Sequence, residues 1–447
     1  MSPRSSRPSY VVPSRRDPVV AMATRAIGGP AGRYLAVGTR GLAGVAAALI
    51  AMSSLLIGLG VFQKAHCIAN GWANPDQFWR ACYSDIPVVH VTTALAQRDL
   101  PWAGATPSDQ PLLPGLTLWL ISLVSPAEGT SIDAQAWAFS IWAVCAVLLL
   151  AAAILAGVAL QPHRPWQIAH LAASPVIVVL ALTSLDLLAV TLTLWGLWAW
   201  QHRYPVTAGL LLGVALLGRP YPLVFLAALA FVGWRDGRRR DALTAAVTAP
   251  LAALAFYLPF SVAVPAVGTA VRSWTTAEPG YGGLTLVPQL LGASLLAPVA
   301  TAIAVLGWVV ALLVGGWLTF SSRHRPSIVQ VAAVMLLVVL LTNKSVSVQS
   351  GLWLLPVMAL AVVQWRDHLI WAAAEIIHFE AVWLHIGFGS DAGKGLPGPT
   401  YAGALMLRLL AWAWVCWQVW DSPLTDDEPA PRRADAEAGL RAELARS

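Results

Sequence analysis

Thirteen apolar runs follow one another between residues 41 and 420, separated by short polar breaks. They lie at 41–63, 112–124, 137–160, 168–183, 187–200, 205–218, 221–233, 243–262, 296–319, 328–342, 351–364, 369–388 and 401–420. Most show no polar face at helical period, so a water-facing bundle is excluded and lipid is the solvent that suits them. Only 11% of the 447 residues are charged, against about 25% in soluble domains. In lipid every backbone polar group must bond within the protein, which leaves helices as the structure for runs of this kind. The sequence therefore predicts an all-α, polytopic transmembrane bundle of about 12 spans (range 9–13) with a short extracytoplasmic first loop.

The arginines set the orientation. Seven of them (Arg4, Arg7, Arg15, Arg16, Arg25, Arg33, Arg40) face one acid, Asp17, in residues 1–40. A basic segment ahead of a first span is a cytoplasmic anchor. No A-x-A-like cleavage site follows 41–63, so that run is read as an uncleaved signal-anchor. The basic breaks at 234–240, 322–325 and 365–368 fall on the same side. Residues 64–111 and 263–285 then become the first and second outer loops, and the sign-mixed tail 422–447 is cytoplasmic and disordered. The count works if 112–124, short and preceded by Pro111, dips without crossing. Residues 41–421 form one transmembrane domain.

The net charge of +6 comes largely from the first 40 residues and is no nucleic-acid signal. No Walker A, Rossmann or nucleophile-elbow pattern occurs. The four cysteines lack metal-ligand spacing and no histidine pair accompanies them, so neither metal nor cofactor is expected. Cys67 and Cys82 share the oxidising side and are read as a disulfide rather than two free thiols. Cys145 and Cys416 lie in apolar runs as packing residues.

Ionisable groups in such surroundings cost roughly 2.5–3.5 kcal/mol each on insertion scales, so those present mark function. Asp85 stands in the first loop within Cys82-Tyr83-Ser84-Asp85-Ile86-Pro87. Asp186, Arg219 and Lys344 interrupt later apolar stretches and fall on the same outer side. Carboxylates and cations at one lipid boundary suit transfer of a sugar from a lipid phosphate. Asp85 is the candidate general base. Arg219, Lys344 and Arg272 are the candidate phosphate-binding cations. Tyr83, Trp274 and Tyr281 are candidate sugar platforms, and Asp186 a substrate-side group. One base attacking through the acceptor inverts the anomeric carbon. His378 and Glu380 are read as interhelical partners outside the site.

These residues and their neighbours resemble the C-superfamily of integral-membrane glycosyltransferases. The likeness is to the actinobacterial family similar to polyprenol-phosphate-mannose-dependent α-1,2-mannosyltransferases. It rests on Cys82–Pro87, Ser174-Pro175 with residues 184–190, Gly218–Pro222, Asn343-Lys344 with Leu352–Pro356, and Arg408–Asp421. The resemblance implies Asp85 as base, a polyprenyl-phosphate sugar donor, a cell-envelope glycolipid or glycan acceptor, and no obligatory metal. Tyr221 and Gln349, in the same motifs, join the substrate-binding candidates. Where the family has Glu-Tyr-Pro this chain has Asp109-Gln110-Pro111, and Arg219 replaces a lysine ahead of Tyr221-Pro222. Asn343–Ser350 lacks the family's proline and tyrosine. The competing classes are a transporter or flippase of lipid-linked sugars and a non-catalytic scaffold for envelope assembly. The absence of inverted halves weighs against the first.

Overall fold

The computed structural model describes Val19 and residues 41–322 and 325–422. The basic segment 1–40, the tail beyond 422 and part of the 322–325 break lie outside the described residues. Among those described, every regular element is helical. The main helices are α1 (Gly41–Gln63), α2 (Leu112–Val124), α3 (Ile132–Leu160), α4 (Leu187–Gln201), α5 (Pro205–Leu216) and α6 (Pro222–Arg235). They continue as α7 (Arg239–Ala263), α8 (Ala297–Ser321), α9 (Ile328–Thr342), α10 (Trp365–Phe388) and α11 (Gly398–Trp420). Among the described residues α1, α3, α7, α8, α10 and α11 are long and apolar enough to cross a membrane. This is a multi-pass membrane protein.

Two apolar runs that read as continuous spans are broken. The run 168–183 consists of a 3-10 turn at Pro165–Ile168 and short helices at Ala169–Ala172 and Val176–Leu180. The run 351–364 is entered by a 3-10 stretch, Val348–Leu354, and continues as Leu355–Leu360. Pro165, Pro175 and Pro356 each start a piece, because proline lacks the N–H that would continue the ladder. Both broken runs are buried: Leu171, Val176, Leu180, Leu352 and Leu355 have no exposed surface. Non-helical backbone survives at this depth only when other protein covers it. Gln161 and Gln167 provide part of that cover, donating to the carbonyls of Leu360 and Ala361 at 3.0 and 2.7 Å.

The α2 run is tied to the first loop at both ends. Trp102 in the first loop donates to Gln110 just ahead of it (3.0 Å), and Arg98 donates to Ser125 just behind it (2.8 Å). Both ends of α2 thus stay with the first loop at one end of the bundle. The other segments alternate between that end and the opposite one. The tightest packing is α5 on α7, where small residues face each other. A Cβ on Gly213 would lie 2.2 Å from the carbonyl oxygen of Ala249, and one on Gly209 2.7 Å from that of Ala245. Helices in lipid associate by such close backbone approach. Large apolar side chains of α7 and α8, such as Val262 (80% exposed) and Leu313 (67%), cover the outside.

Candidate functional site

The first loop is folded onto the broken run 165–183. Ser84 donates its hydroxyl to the Leu182 carbonyl (2.7 Å), and the Asp85 N–H donates to the Thr183 carbonyl (2.8 Å). Asp85 then opens the helix Asp85–Thr92, where a carboxylate suits the exposed N–H groups and the dipole. Cys67 and Cys82 are joined, with Cα atoms 5.9 Å apart and a sequence separation of 15. Trp72 Nε1 caps the Cys82 carbonyl at 2.9 Å. We expect replacement of both cysteines by serine to lower stability by about 3 kcal/mol through loop-closure entropy. Thermal unfolding in detergent, with and without reductant, measures it; a reductant-insensitive wild-type midpoint would argue against the bridge contributing.

Asp186 follows three residues after Thr183 and is 1% exposed. Its Oδ1 accepts from Arg219 Nε and Nη2, both at 2.7 Å, and from Ser184 Oγ at 2.8 Å. Its Oδ2 accepts from Trp353 Nε1 at 2.7 Å. Four donors converge on this buried carboxylate, three on Oδ1 and one on Oδ2, so Asp186 orients Arg219 from a buried position. Tyr221, fully buried, stacks on Trp353 with centroids 4.9 Å apart. The broken runs therefore meet at one point, with Asp186 from the first and Trp353 from the second.

Asp85 is the half-buried carboxylate beside this pair. Burial pushes its carboxyl up to about 6, against the pull of the Arg219 guanidinium and of the Tyr83 hydroxyl that hydrogen-bonds it; Asp186 and Asp109 add to the push. Burial and the nearby carboxylate hold the Tyr83 hydroxyl above its ordinary range, so it remains a protonated donor. The Tyr83 ring stacks on Trp383 at 4.6 Å and on Phe78 at 5.8 Å. Its carbonyl accepts from Lys64 Nζ at 2.8 Å. Lys64 is fully buried, and burial pulls its ammonium down to about 7 against the carboxylates of Glu380 and Asp85.

A cavity of about 730 Å³ opens next to Arg219. Asp109, Arg219, Asn343, Ser345 and Ser347 make its polar part. Leu112, Leu217, Leu254, Tyr257, Val271 and Trp308 make an apolar wall. Leu254 (49% exposed) and Val271 (68%) carry that wall out to the lipid-facing surface. Trp274 and Trp353 also line the cavity.

The candidate residues separate on this geometry. Asp85, Tyr83, Asp186, Arg219 and Tyr221 stand together, and Trp274 faces the same cavity. Lys344 is fully buried but turned away from the lining. Its ammonium donates to the carbonyls of Thr275 (3.2 Å) and Ala277 (2.9 Å) and to Thr301 Oγ1 (2.8 Å), with Trp274 below it at 5.1 Å. Lys344 ties the second loop to α8, a use in which no proton remains for a phosphate. Arg272 is exposed and folds back on Pro265 (2.9 Å) and Thr269 (3.5 Å) of its own loop. Gln349 is buried in the 3-10 stretch. Tyr281 is 43% exposed, and its carbonyl accepts from the Tyr401 hydroxyl.

Several groups escaped the sequence reading. Lys64 ends an apolar run where a lysine reads as a headgroup anchor. Glu375 and Arg408 form an ion pair at 3.0 Å with no exposed surface on either side chain. Glu375 also accepts from Trp412 Nε1, and Arg408 donates to the carbonyls of Val348 and Ser347. His378, which the sequence reading did pick out as an interhelical partner, lies one turn beyond Glu375 and meets the Tyr401 hydroxyl of α11 at 3.1 Å. The i, i+3 spacing of Glu375 and His378 within an apolar run was the available signal.

The model of glycosyltransferase family 87 matches residues 120–343. That stretch contains Asp186, Arg219 and Trp274, and stops short of Asp85 on one side and Trp353 on the other. No curated protein and no solved structure matches the chain.

Proposed function

The chain belongs to glycosyltransferase family 87, and we propose that it moves a sugar from a polyprenyl-phosphate donor to an envelope glycolipid or glycan, with Asp85 as general base. The observation that carries this reading is the cavity: charged at the Arg219 end, apolar along its wall, and continuous with the lipid-facing surface. An amphiphilic donor fits that gradient, with its polyprenyl tail along Leu254 and Trp308 and its phosphate towards Arg219. Mannose is the sugar the family resemblance suggests.

In the proposed reaction an acceptor hydroxyl gives its proton to Asp85 as its oxygen attacks the anomeric carbon. The bond from that carbon to the phosphate oxygen breaks, and the electron pair leaves with the phosphate, whose charge Arg219 stabilises. A single displacement inverts the anomeric centre. Asp186, held by four donors, keeps Arg219 aimed. We place the site on the extracytoplasmic side and both termini in the cytoplasm. The arginine-bearing breaks at 164, 203, 235–240 and 366 lie at the opposite end of the helices from Asp85, as the positive-inside rule requires.

A base must be unprotonated to act, so transfer should fall as pH drops through about 6, tenfold per unit below it. Tyr83→Phe removes a hydrogen bond that favours the carboxylate, and should move this acid limb to higher pH while leaving the aromatic stack in place. The pH dependence of kcat/KM with polyprenyl-phosphate mannose in nanodiscs tests both statements. A flat profile between pH 5 and pH 8 would remove Asp85 from the base role.

A further inference from the structure

The segment that leads into α2 brings to the donor cavity a carboxylate that the proposed reaction does not use. Asp109 stands three residues ahead of Leu112, where α2 begins. Its backbone is held on both sides. The Ser108 N–H donates to the Pro101 carbonyl (2.8 Å), and the Gln110 N–H donates to Ser108 Oγ (3.1 Å). Further on, the Leu113 N–H donates to the Leu217 carbonyl at 3.1 Å, two residues before Arg219. That bond fixes the segment against the turn that carries Arg219. A backbone held in this way loses little freedom when a ligand binds.

The Asp109 side chain, by contrast, is exposed and lines the cavity. It accepts no hydrogen bond and forms no ion pair among the described residues. Its charge acts on Arg219, on Tyr83 and on Asp85, so it is near both the phosphate end of the cavity and the base. Other polar groups of the lining are already engaged. Asn343 Oδ1 accepts from the Ser345 N–H at 3.0 Å, and Ser347 Oγ pairs with Ser350 Oγ at 3.0 Å. A carboxylate beside a phosphate site repels the ligand's own charge. It suits a ligand that also brings neutral hydroxyl donors, because an ionised carboxylate can only accept. With the phosphate at Arg219 and the tail along Leu254 and Trp308, the sugar is the part of the donor left to face Asp109.

We propose that Asp109 accepts hydrogen bonds from hydroxyl groups of the donor's sugar, and so distinguishes the glycosylated lipid phosphate from the bare lipid phosphate that transfer leaves behind. Once the sugar has gone, the hydroxyls that answered Asp109 have gone with it. The remaining phosphomonoester also carries up to about one charge more than the diester, and the same carboxylate then favours its release. This inference rests on the polyprenyl-phosphate donor assigned above.

The test measures binding of polyprenyl-phosphate mannose and of bare polyprenyl phosphate to the full chain in nanodiscs, for wild type, Asp109→Ala and Asp109→Asn. Wild type should prefer the mannosylated lipid. Asp109→Ala should lose about ten-fold of that preference, the equivalent of one charged hydrogen bond, while binding bare polyprenyl phosphate at least as well as wild type. Asp109→Asn keeps an acceptor oxygen without the charge and should fall between the two. Wild type that binds both lipids alike, an Asp109→Ala preference equal to wild type, or equal weakening for both lipids overturns the inference and leaves the donor assignment standing. Wild type that binds neither lipid overturns the donor assignment and this inference with it. The unfolding midpoints of both variants should match wild type, because the Asp109 side chain holds no partner in the fold.

Discussion

Asp85→Asn should lower sugar transfer by about 10²–10⁴-fold and leave the protein folded. The amide is nearly isosteric with the carboxylate, and the Asp85 N–H bond to Thr183 and the Ser84 bond to Leu182 do not involve the side chain. What disappears is the capacity to take a proton. Asp186 is not placed to substitute for it, being 1% exposed and held by Arg219, Ser184 and Trp353. The measurement is transfer from polyprenyl-phosphate mannose by the purified variant beside wild type, with donor binding recorded separately. Intact binding with lost turnover is the expected pair of results. Turnover within ten-fold of wild type would sink the assignment of the base.

The second large effect lies away from the cavity. Arg408→Ala should destabilise the fold by about 3–5 kcal/mol, because it leaves the Glu375 carboxylate unpaired where neither partner has solvent access. The damage should not stop there. Arg408 holds the Val348 and Ser347 carbonyls, which begin the 3-10 stretch carrying Trp353 to Asp186. Replacing both members, Glu375→Leu with Arg408→Leu, removes the orphaned charge and should recover most of the stability. Transfer by that double variant then reports on the tether alone. Unfolding midpoints of the single and double variants in detergent give the answer. An Arg408→Ala midpoint equal to wild type would show that the pair contributes nothing.

Much of this arrangement was legible in the residue order. The apolar runs predict the helices, and the isolated ionisable groups Asp85, Asp186 and Arg219, read as one cluster, do lie together in the structure. Charge in an apolar setting is conspicuous, which is why these were visible. Lys344 was equally conspicuous and is used differently. Nothing in a linear pattern reveals that Thr275, Ala277 and Thr301 converge on its ammonium. The runs 168–183 and 351–364 read as continuous spans, and whether prolines break such a run depends on what buries the freed backbone. Glu375 and Arg408 stand 33 positions apart, and their pairing follows from how α10 and α11 pack. Trp353 falls within the Leu352–Pro356 motif, yet its indole N–H gains meaning only once Tyr221 and Asp186 are placed beside it.

The broken runs bear on how the protein is made. Neither is a single uninterrupted helix, and the backbone at each break depends on neighbours that arrive later in synthesis. Asp186 leaves the ribosome 167 residues ahead of Trp353, and Arg408, which steadies the Trp353 stretch, comes later still. Until α10 and α11 enter the bilayer, the Asp186–Arg219 pair waits in a half-built membrane domain. A ribosome-stalled chain ending before α10 would therefore hold both charged residues without a finished centre. Such an intermediate carries both charged residues before the protein that covers them has been made.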